Sequence, residues 1–263
     1  MNRLTLFGGA AVWADDRPLA GRAGQRHRVA LLALLATTRR PSRSRDALAG
    51  LLWPDADSNR GRRLLSDSAY RVNRALGGEA IVALGDDLSL NRTRIESDVA
   101  EFEAAADARD WERVIGLYRG PFLDGFFLPN SVDFDQWLDV ERRAYETVVA
   151  RAIEAMARSS AAEGRLVDAA DWWQRLSGLV PDDSRVTIEL MRALEASGNR
   201  AAALRSARAH AELLRDALGI EPDGSVKELA DRIAGRSVRV ISKGVHRPER
   251  VVYRETLRAA RRV

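Results

Sequence analysis

The alternation of apolar and polar residues at the start of the chain predicts short β-strands. Leu4 and Leu6 alternate with polar neighbours, a glycine pair at 8–9 breaks the run, and Val12 and Trp13 resume it. The aspartate pair at 15–16 supplies a turn, so we expect two or three short strands within residues 3–20. Further on, the runs 80–84 and 88–90 flank a Gly-Asp-Asp turn and predict a β-hairpin.

Between these strand regions, apolar residues recur at helical spacing in three segments. The first is 25–37; the second is 46–52, which follows Ser44, a residue type that caps helix N-termini. The third, 57–76, closes at a glycine pair, and its apolar face consists of Leu65, Ala69, Val72 and Leu76. A small sheet, three helices and a β-hairpin together predict a winged helix-turn-helix domain over residues 1–97.

The polar side of segment 57–76 carries most of the candidate chemistry. The face opposite the leucines consists of Arg60, Arg63, Asp67, Tyr70 and Arg74. One flank carries Arg62, Ser66 and Asn73. A helix that is held to a core by its apolar side and carries outward guanidinium groups can enter the major groove of DNA. The alternative is an ordinary amphipathic surface helix whose arginines are only solvated.

Four polar residues in this domain allow two interpretations each. Asn73 could pair with adenine or simply cap a neighbouring group. Asp67 could accept a hydrogen bond from a cytosine amino group, or it could be repelled by phosphates. Arg43 and Arg45 precede the second helix, where they could bind a phosphate together with the helix N-terminus or point into solvent.

Beyond residue 97 the strand signals stop and helical periodicity continues. Segments 98–108 and 111–118 predict a helical hairpin, and a loop at 120–130 precedes a long helix at about 135–160. We therefore expect an all-α domain over residues 98–235, which makes the whole chain mainly α.

An internal repeat of 34 residues lies within this helical region. Gly164 and Gly198 keep that offset, as do Ala169 and Ala203. Around the first copy, the large apolar residues and the closing proline stand at the spacing of a tetratricopeptide repeat. The glycines predict tight turns between antiparallel helices, and repeats of this type bind proteins rather than metabolites.

Charge divides the chain into three parts. Residues 1–97 hold 16 basic and 10 acidic side chains, residues 98–235 hold 17 and 26, and residues 236–263 hold 9 and 2. A basic front part indicates a nucleic-acid contact there. The segment 236–263 begins with a strand-like VRVIS and continues as a basic tail or linker. The sequence leaves open whether it is a disordered tail, an arm that touches DNA or a membrane, or the edge of a further domain.

The motifs of several other protein classes are missing from the sequence. The chain has no cysteine, no phosphate-binding glycine loop and no apolar run long enough to span a bilayer. Its three histidines, His27, His210 and His246, are far apart, so we expect surface or helix-capping roles for them. We expect a cytoplasmic, nucleoid-associated protein that is not an enzyme and needs no cofactor or metal.

Several stretches together resemble the Streptomyces antibiotic regulatory proteins, in which an OmpR-like winged helix is joined to a bacterial transcriptional activator domain. In the front part these stretches are LLALLA at 31–36, SRDALAGLLWPD at 44–55 and YRVNRALG at 70–77. In the helical part they are YRGPFLDGF at 118–126, Trp137, Glu141 and Arg142, LVPD at 179–182, Leu190 and Met191, and LGIEP at 218–222. They cover nearly all of residues 1–235 in the expected order.

This resemblance implies a DNA-binding transcriptional regulator, an activator by analogy. The implied partners are double-stranded DNA, bound at promoter direct repeats as a homodimer or as tandem copies, and RNA polymerase, contacted by the helical domain. The polar side of segment 57–76 and the two arginines before the second helix give the candidate DNA-binding residues: Arg43, Arg45, Arg60, Arg62, Arg63, Ser66, Tyr70, Asn73 and Arg74.

The third helix departs from the family pattern, in which a run such as LRQALxRLRRALG is usual. Ser66, Asp67, Ala69 and Asn73 stand there instead, so that two arginines are missing and a carboxylate faces outward. These substitutions motivate the alternative of a protein-interaction scaffold whose winged helix has lost its affinity for DNA.

Overall fold

The computed structural model describes residues 2–14, 17–18, 25–37 and 42–242. The chain forms two compact units, residues 1–180 and residues 181–263. The turn predicted at 15–16 and the basic residues beyond 242 lie outside the described residues.

A four-stranded sheet lies at the front of the first unit. Its strands are β1 (Asn2–Thr5), β2 (Ala11–Ala14), β3 (Arg17–Pro18) and β7 (Ile95–Ser97), in the order β3-β2-β1-β7. Strands β1 and β2 pair antiparallel with Leu4 opposite Val12, which confirms the alternation read from the sequence. Strand β7 runs parallel to β1, and sequence analysis missed it because three residues are too few to show a period.

Three helices and a second sheet complete the winged helix-turn-helix fold. The helices are α1 (Gln25–Ala36), α2 (Arg45–Leu52) and α3 (Ser58–Ala75). The second sheet consists of β4 (Arg43–Ser44), β5 (Ile81–Leu84) and β6 (Asp87–Leu90), in the order β4-β6-β5. The hairpin β5–β6 with its turn is the wing, and β4, which the sequence did not predict, joins the wing to the start of α2.

Side-chain caps explain where α2 and α3 begin. Ser44 Oγ accepts a hydrogen bond from the Ala47 amide at 3.3 Å, and Asp57 accepts one from the Arg60 amide at 2.9 Å. Such caps satisfy amides that have no partner within the helix. After α3, Gly77 adopts φ 69°, a backbone conformation that glycine reaches without a steric penalty.

Four helices complete the first unit: α4 (Asp98–Asp107), α5 (Trp111–Leu117), α6 (Val132–Ala162) and α7 (Leu166–Leu179). Their core meets the front sheet through Phe7, whose ring lies 4.9 Å from Phe102 and 5.3 Å from Tyr145 between centroids. The Asp98 carboxylate accepts hydrogen bonds from the amides of Leu6 and Phe7. Burial raises the pKa of Asp98, and those amide bonds oppose the rise.

Two glycines allow the front sheet to approach the loop before α6. A Cβ on Gly120 would lie 2.9 Å from Gly8 Cα, and one on Gly8 would lie 2.9 Å from the Arg119 carbonyl oxygen. Beside this contact the Leu123 amide donates to the Leu6 carbonyl at 2.7 Å. The YRGPFLDGF segment therefore fastens the winged helix to the helices that follow it.

The second unit contains α8 (Ser184–Ala196), α9 (Arg200–Leu213), a π-helical turn (Leu214–Leu218) and α10 (Gly224–Ser242). His210 is buried, with Nδ1 3.0 Å from the Pro181 carbonyl oxygen and Nε2 3.0 Å from Ser184 Oγ. A carbonyl only accepts, so Nδ1 donates to it. His210 thus connects α9 to the start of α8, and the expectation that it could lie at the surface is wrong.

The predicted helix turns occur in each unit separately. Helices α6 and α7 meet at Gly164 with φ 76°, and helices α8 and α9 meet at Gly198 with φ 86°. Ala169 and Ala203 are both buried. The strand-like VRVIS expected from residue 238 is wrong, since α10 extends through those residues. Intrinsic β-propensity is a weak signal, and here the helix that begins at Gly224 simply continues.

Candidate nucleic-acid interface

Helix α3 is held against α2 by its inward face. The residues buried there are Gly61, Leu65, Ser68 and Val72. Gly61 lies so close to α2 that a Cβ would be 3.2 Å from Ala49 Cβ. Ala69, predicted on the apolar face, is only half-buried, and Ser68 takes the buried position. This packing fixes which side of α3 faces solvent.

The outward stripe of α3, which we define as Arg60, Arg63, Asp67, Tyr70 and Arg74, is exposed throughout. Asp67 pairs with Arg71 on the next turn, with 2.7 Å between Oδ2 and Nε. The guanidinium groups of the three stripe arginines have no hydrogen-bond or ion-pair partner among the described residues. Tyr70 exposes 63% of its surface. The stripe therefore presents three available cations and one phenol.

The wing flank of α3, which we define as Arg62, Ser66 and Asn73, is engaged by the protein itself. Asn73 Nδ2 donates to the Ile81 carbonyl at 2.8 Å, and Asn73 Oδ1 accepts from the Ile81 amide at 2.7 Å. Ser66 Oγ donates to the Arg62 carbonyl at 2.9 Å and accepts from Arg45 Nη1 at 3.5 Å. Of the two interpretations of Asn73, the structure supports the cap on a neighbouring group.

Arg62 lies between two carboxylates. Its Nε and Nη2 donate to Asp46 at 2.6 Å each, and its Nη1 and Nη2 donate to Asp86 at 3.1 Å each. The hydrogen bonds from Arg62 lower the pKa of Asp46, while the two carboxylates raise the pKa of the guanidinium. Arg62 thereby connects α3, the first turn of α2 and the turn of the wing.

The two arginines before α2 differ in their surroundings. Arg43 Nε donates to the Leu34 carbonyl at 2.8 Å, its Nη2 donates to Thr37 Oγ1 at 3.2 Å, and its guanidinium lies 5.7 Å from the Trp137 ring centroid. Arg45 forms only the long bond to Ser66 among the side-chain contacts described for it. Phosphate binding by either arginine stays a prediction, and the guanidinium of Arg43 already has partners within the protein.

The wing itself carries no basic residue between positions 81 and 90. Its turn holds Asp86, bound to Arg62, and Asp87, whose Oδ2 accepts from Ser42 Oγ at 2.7 Å. Leu84, beside the turn, is 57% exposed. Sequence analysis did not identify Asp46, Asp86 and Arg71 as functional. The spacing of Asp67 and Arg71 could have revealed the last one, but no local pattern links residues 46, 62 and 86.

The helical region matches a known protein family. A sequence model of the bacterial transcriptional activator domain matches residues 87–234, more than half of the chain. The chain belongs to this family. It is a transcriptional regulator, as the resemblance to the Streptomyces antibiotic regulatory proteins indicated, and the regulators of this family are generally not enzymes.

The fold is similar to that of Mycobacterium tuberculosis EmbR, solved in complex with a low affinity phosphopeptide. The TM-score is 0.64 at 21% sequence identity, and the alignment covers 92% of this chain and 69% of that chain. This similarity confirms the predicted architecture, a winged helix-turn-helix followed by a helical, repeat-like domain. A search of curated proteins found no match to the chain.

Among the described residues, no helix is long and apolar enough to cross a membrane. They also contain no group of three or more histidine, aspartate or glutamate side chains that could hold a metal ion.

Proposed function

We propose that this regulator binds double-stranded DNA by placing α3 in the major groove, with the outward stripe facing the bases and phosphates. The observation that carries the proposal is the stripe itself, whose Arg60, Arg63 and Arg74 are exposed and have no partner among the described residues. Guanidinium groups donate two parallel hydrogen bonds to guanine or to phosphate, which makes arginine the most frequent base-reading residue.

The length of the stripe suits a groove. From Arg60 to Arg74 the helix rises about 21 Å, less than one turn of DNA at about 34 Å. With α3 lying in the groove, the middle of the stripe would face the base edges and its two ends would approach the phosphates on either side. We therefore assign Arg63 and Tyr70 to the bases, and Arg60, Arg74 and Arg45 to the backbone.

The remaining partners follow from the family resemblance and from charge. The acidic helical region, residues 98–235, would contact RNA polymerase or a second copy of the chain, with copies bound in tandem or as a dimer on promoter direct repeats. Such a protein would act as an activator, in the cytoplasm and associated with the nucleoid.

The scaffold hypothesis stays as the second candidate because a specific observation favours it. Four of the predicted DNA-binding residues, Arg43, Arg62, Ser66 and Asn73, are engaged within the protein, and the wing turn is acidic. A winged helix with few phosphate contacts could survive as a docking module.

Fluorescence anisotropy of the full chain on DNA from its own upstream region tests the proposal, with random DNA alongside and salt at two concentrations. We expect Arg63→Ala to weaken binding by about 1–3 kcal/mol, because Arg63 is assigned to a base. Arg74→Ala, which removes an arginine assigned to the backbone, should weaken binding to both DNAs and lower the slope of log K against log salt by about 0.9. Arg208→Ala, which removes an exposed arginine from α9, is the matched control and should leave binding unchanged.

Equal affinities of wild type, Arg63→Ala and Arg74→Ala for the upstream DNA would remove α3 from the interface. No preference for upstream over random DNA at either salt concentration would favour the scaffold and direct the search to a protein partner of the helical region.

A further inference from the structure

Arg62 uses nearly all of its hydrogen-bonding capacity inside the protein. A guanidinium group has five N–H donors, and four hydrogen bonds from Arg62 reach the carboxylates of Asp46 and Asp86. Each carboxylate is contacted by two nitrogens, the paired geometry that makes arginine–carboxylate contacts strong and directional. To bind a phosphate, Arg62 would have to release one of these carboxylates and leave it close to the DNA.

The wing is attached to α3 at two points, both on the wing flank. Near the end of α3, Asn73 holds the backbone of Ile81 at the start of β5. Nearer the beginning, Arg62 holds Asp86 in the turn between β5 and β6. The Asp86 carbonyl also accepts from the Arg45 amide at 3.2 Å, so the same turn is fastened to the start of α2.

We infer that Arg62 is a positioning residue, which sets the wing and α2 against α3 through Asp86 and Asp46 and does not contact DNA itself. This inference rests on the proposed function, because the orientation matters only if α3 and its neighbours meet DNA. The wing then acts as a brace for the recognition helix, in agreement with the lack of any lysine or arginine between residues 81 and 90.

A positioning role predicts that loss of the Asp86 carboxylate weakens DNA binding, whereas simple electrostatics predicts that it strengthens DNA binding. Removing a negative charge beside a DNA-binding surface normally strengthens binding, because the carboxylate no longer repels phosphates. If Asp86 holds the wing through Arg62, Asp86→Asn should instead weaken binding to upstream DNA roughly two- to tenfold. Glu79→Gln is the matched control, since it removes an exposed carboxylate that precedes β5 and has no described partner. That variant should bind as tightly as wild type or tighter.

Two measurements separate positioning from direct contact. Arg62→Ala should lower affinity without changing the salt slope, whereas a residue that binds phosphate directly would lower that slope by about 0.9 when it is removed. Hydrogen exchange of the full chain without DNA should show faster exchange of the β5 and β6 amides in Arg62→Ala and Asp86→Asn. Arg62→Lys keeps the charge without the paired geometry and should give an intermediate exchange rate.

The possible outcomes test the positioning role of Arg62 separately from the proposed DNA binding. Unchanged exchange in the wing would overturn the inference whether or not the protein binds DNA. Tighter binding by Asp86→Asn, or a reduced salt slope in Arg62→Ala, would also overturn it and make Arg62 a DNA contact. If the variants show faster exchange in the wing but the wild-type protein binds no DNA, the positioning role of Arg62 is supported and the proposed function is overturned.

Discussion

The outward stripe and the wing flank lie on the same helix and are made of similar residues, yet the fold uses them differently. On the stripe, Arg60, Arg63 and Arg74 point into solvent with no partner in the described part of the chain. On the flank, Arg62 is bound by two aspartates and Asn73 by the backbone of β5. Two arginines that are adjacent in sequence, 62 and 63, thus have different surroundings.

The difference shows what decides which polar residues of α3 are held by the protein and which are left exposed. Residue type alone does not, because a guanidinium group binds a carboxylate as well as a phosphate. The position of the wing decides which residues find partners. The wing brings Asp86 and the Ile81 backbone to one flank of α3 and leaves the stripe uncovered. A change on the flank should therefore alter stability or positioning, and a change on the stripe should alter DNA affinity alone.

Asn73→Ala should produce the largest effect on stability. The substitution leaves the amide and carbonyl of Ile81, a residue only 4% exposed, without their side-chain partner. A buried polar group without a partner costs about 1–3 kcal/mol. Urea unfolding followed by circular dichroism measures the loss. An unchanged free energy of unfolding would mean that water replaces the amide and that the flank is not structural at this point.

Arg74→Ala is the matched control for that experiment. It removes a polar side chain from the next position of the same helix, but one that is exposed. Surface substitutions of this kind usually change stability by about 0.5 kcal/mol or less. Asn73→Ala should therefore lower the free energy of unfolding, whereas Arg74→Ala should leave it nearly unchanged and weaken DNA binding instead.

Arg43→Ala should have the next largest effect on stability, and it extends the comparison to a residue outside α3. The half-buried guanidinium donates to the Leu34 carbonyl and to Thr37, so we expect its removal to cost about 1 kcal/mol of unfolding free energy. The salt slope of DNA binding should stay at the wild-type value. A lower salt slope with an unchanged free energy of unfolding would instead support the phosphate contact expected from the sequence.

Local patterns were sufficient for the architecture and for the residues that share each face of α3, but not for the different partners of the stripe and the flank. The period of the leucines and the cap at Ser44 indicated the helices, because both signals act within a few residues. The Gly-Asp-Asp turn likewise indicated the wing. The partners of Arg62 are 16 and 24 residues away in sequence, so only the folded chain brings them together. Strands as short as β4 and β7 also depend on distant partners and show no period of their own.

Asp67→Asn should have the smallest effect, and it tests the one acidic residue of the stripe. The exposed carboxylate holds Arg71 on the next turn, and exposed pairs of this spacing contribute little to stability, so unfolding should hardly change. Removing it takes a negative charge away from the stripe and releases Arg71 toward the phosphates. Binding to random DNA at low salt should tighten about two- to fivefold, and the salt slope should rise by about 0.9 if Arg71 acquires a phosphate. Weaker binding to upstream DNA, with binding to random DNA unchanged, would instead identify Asp67 as a reader of cytosine, because a carboxylate accepts from the cytosine amino group and an amide replaces it poorly.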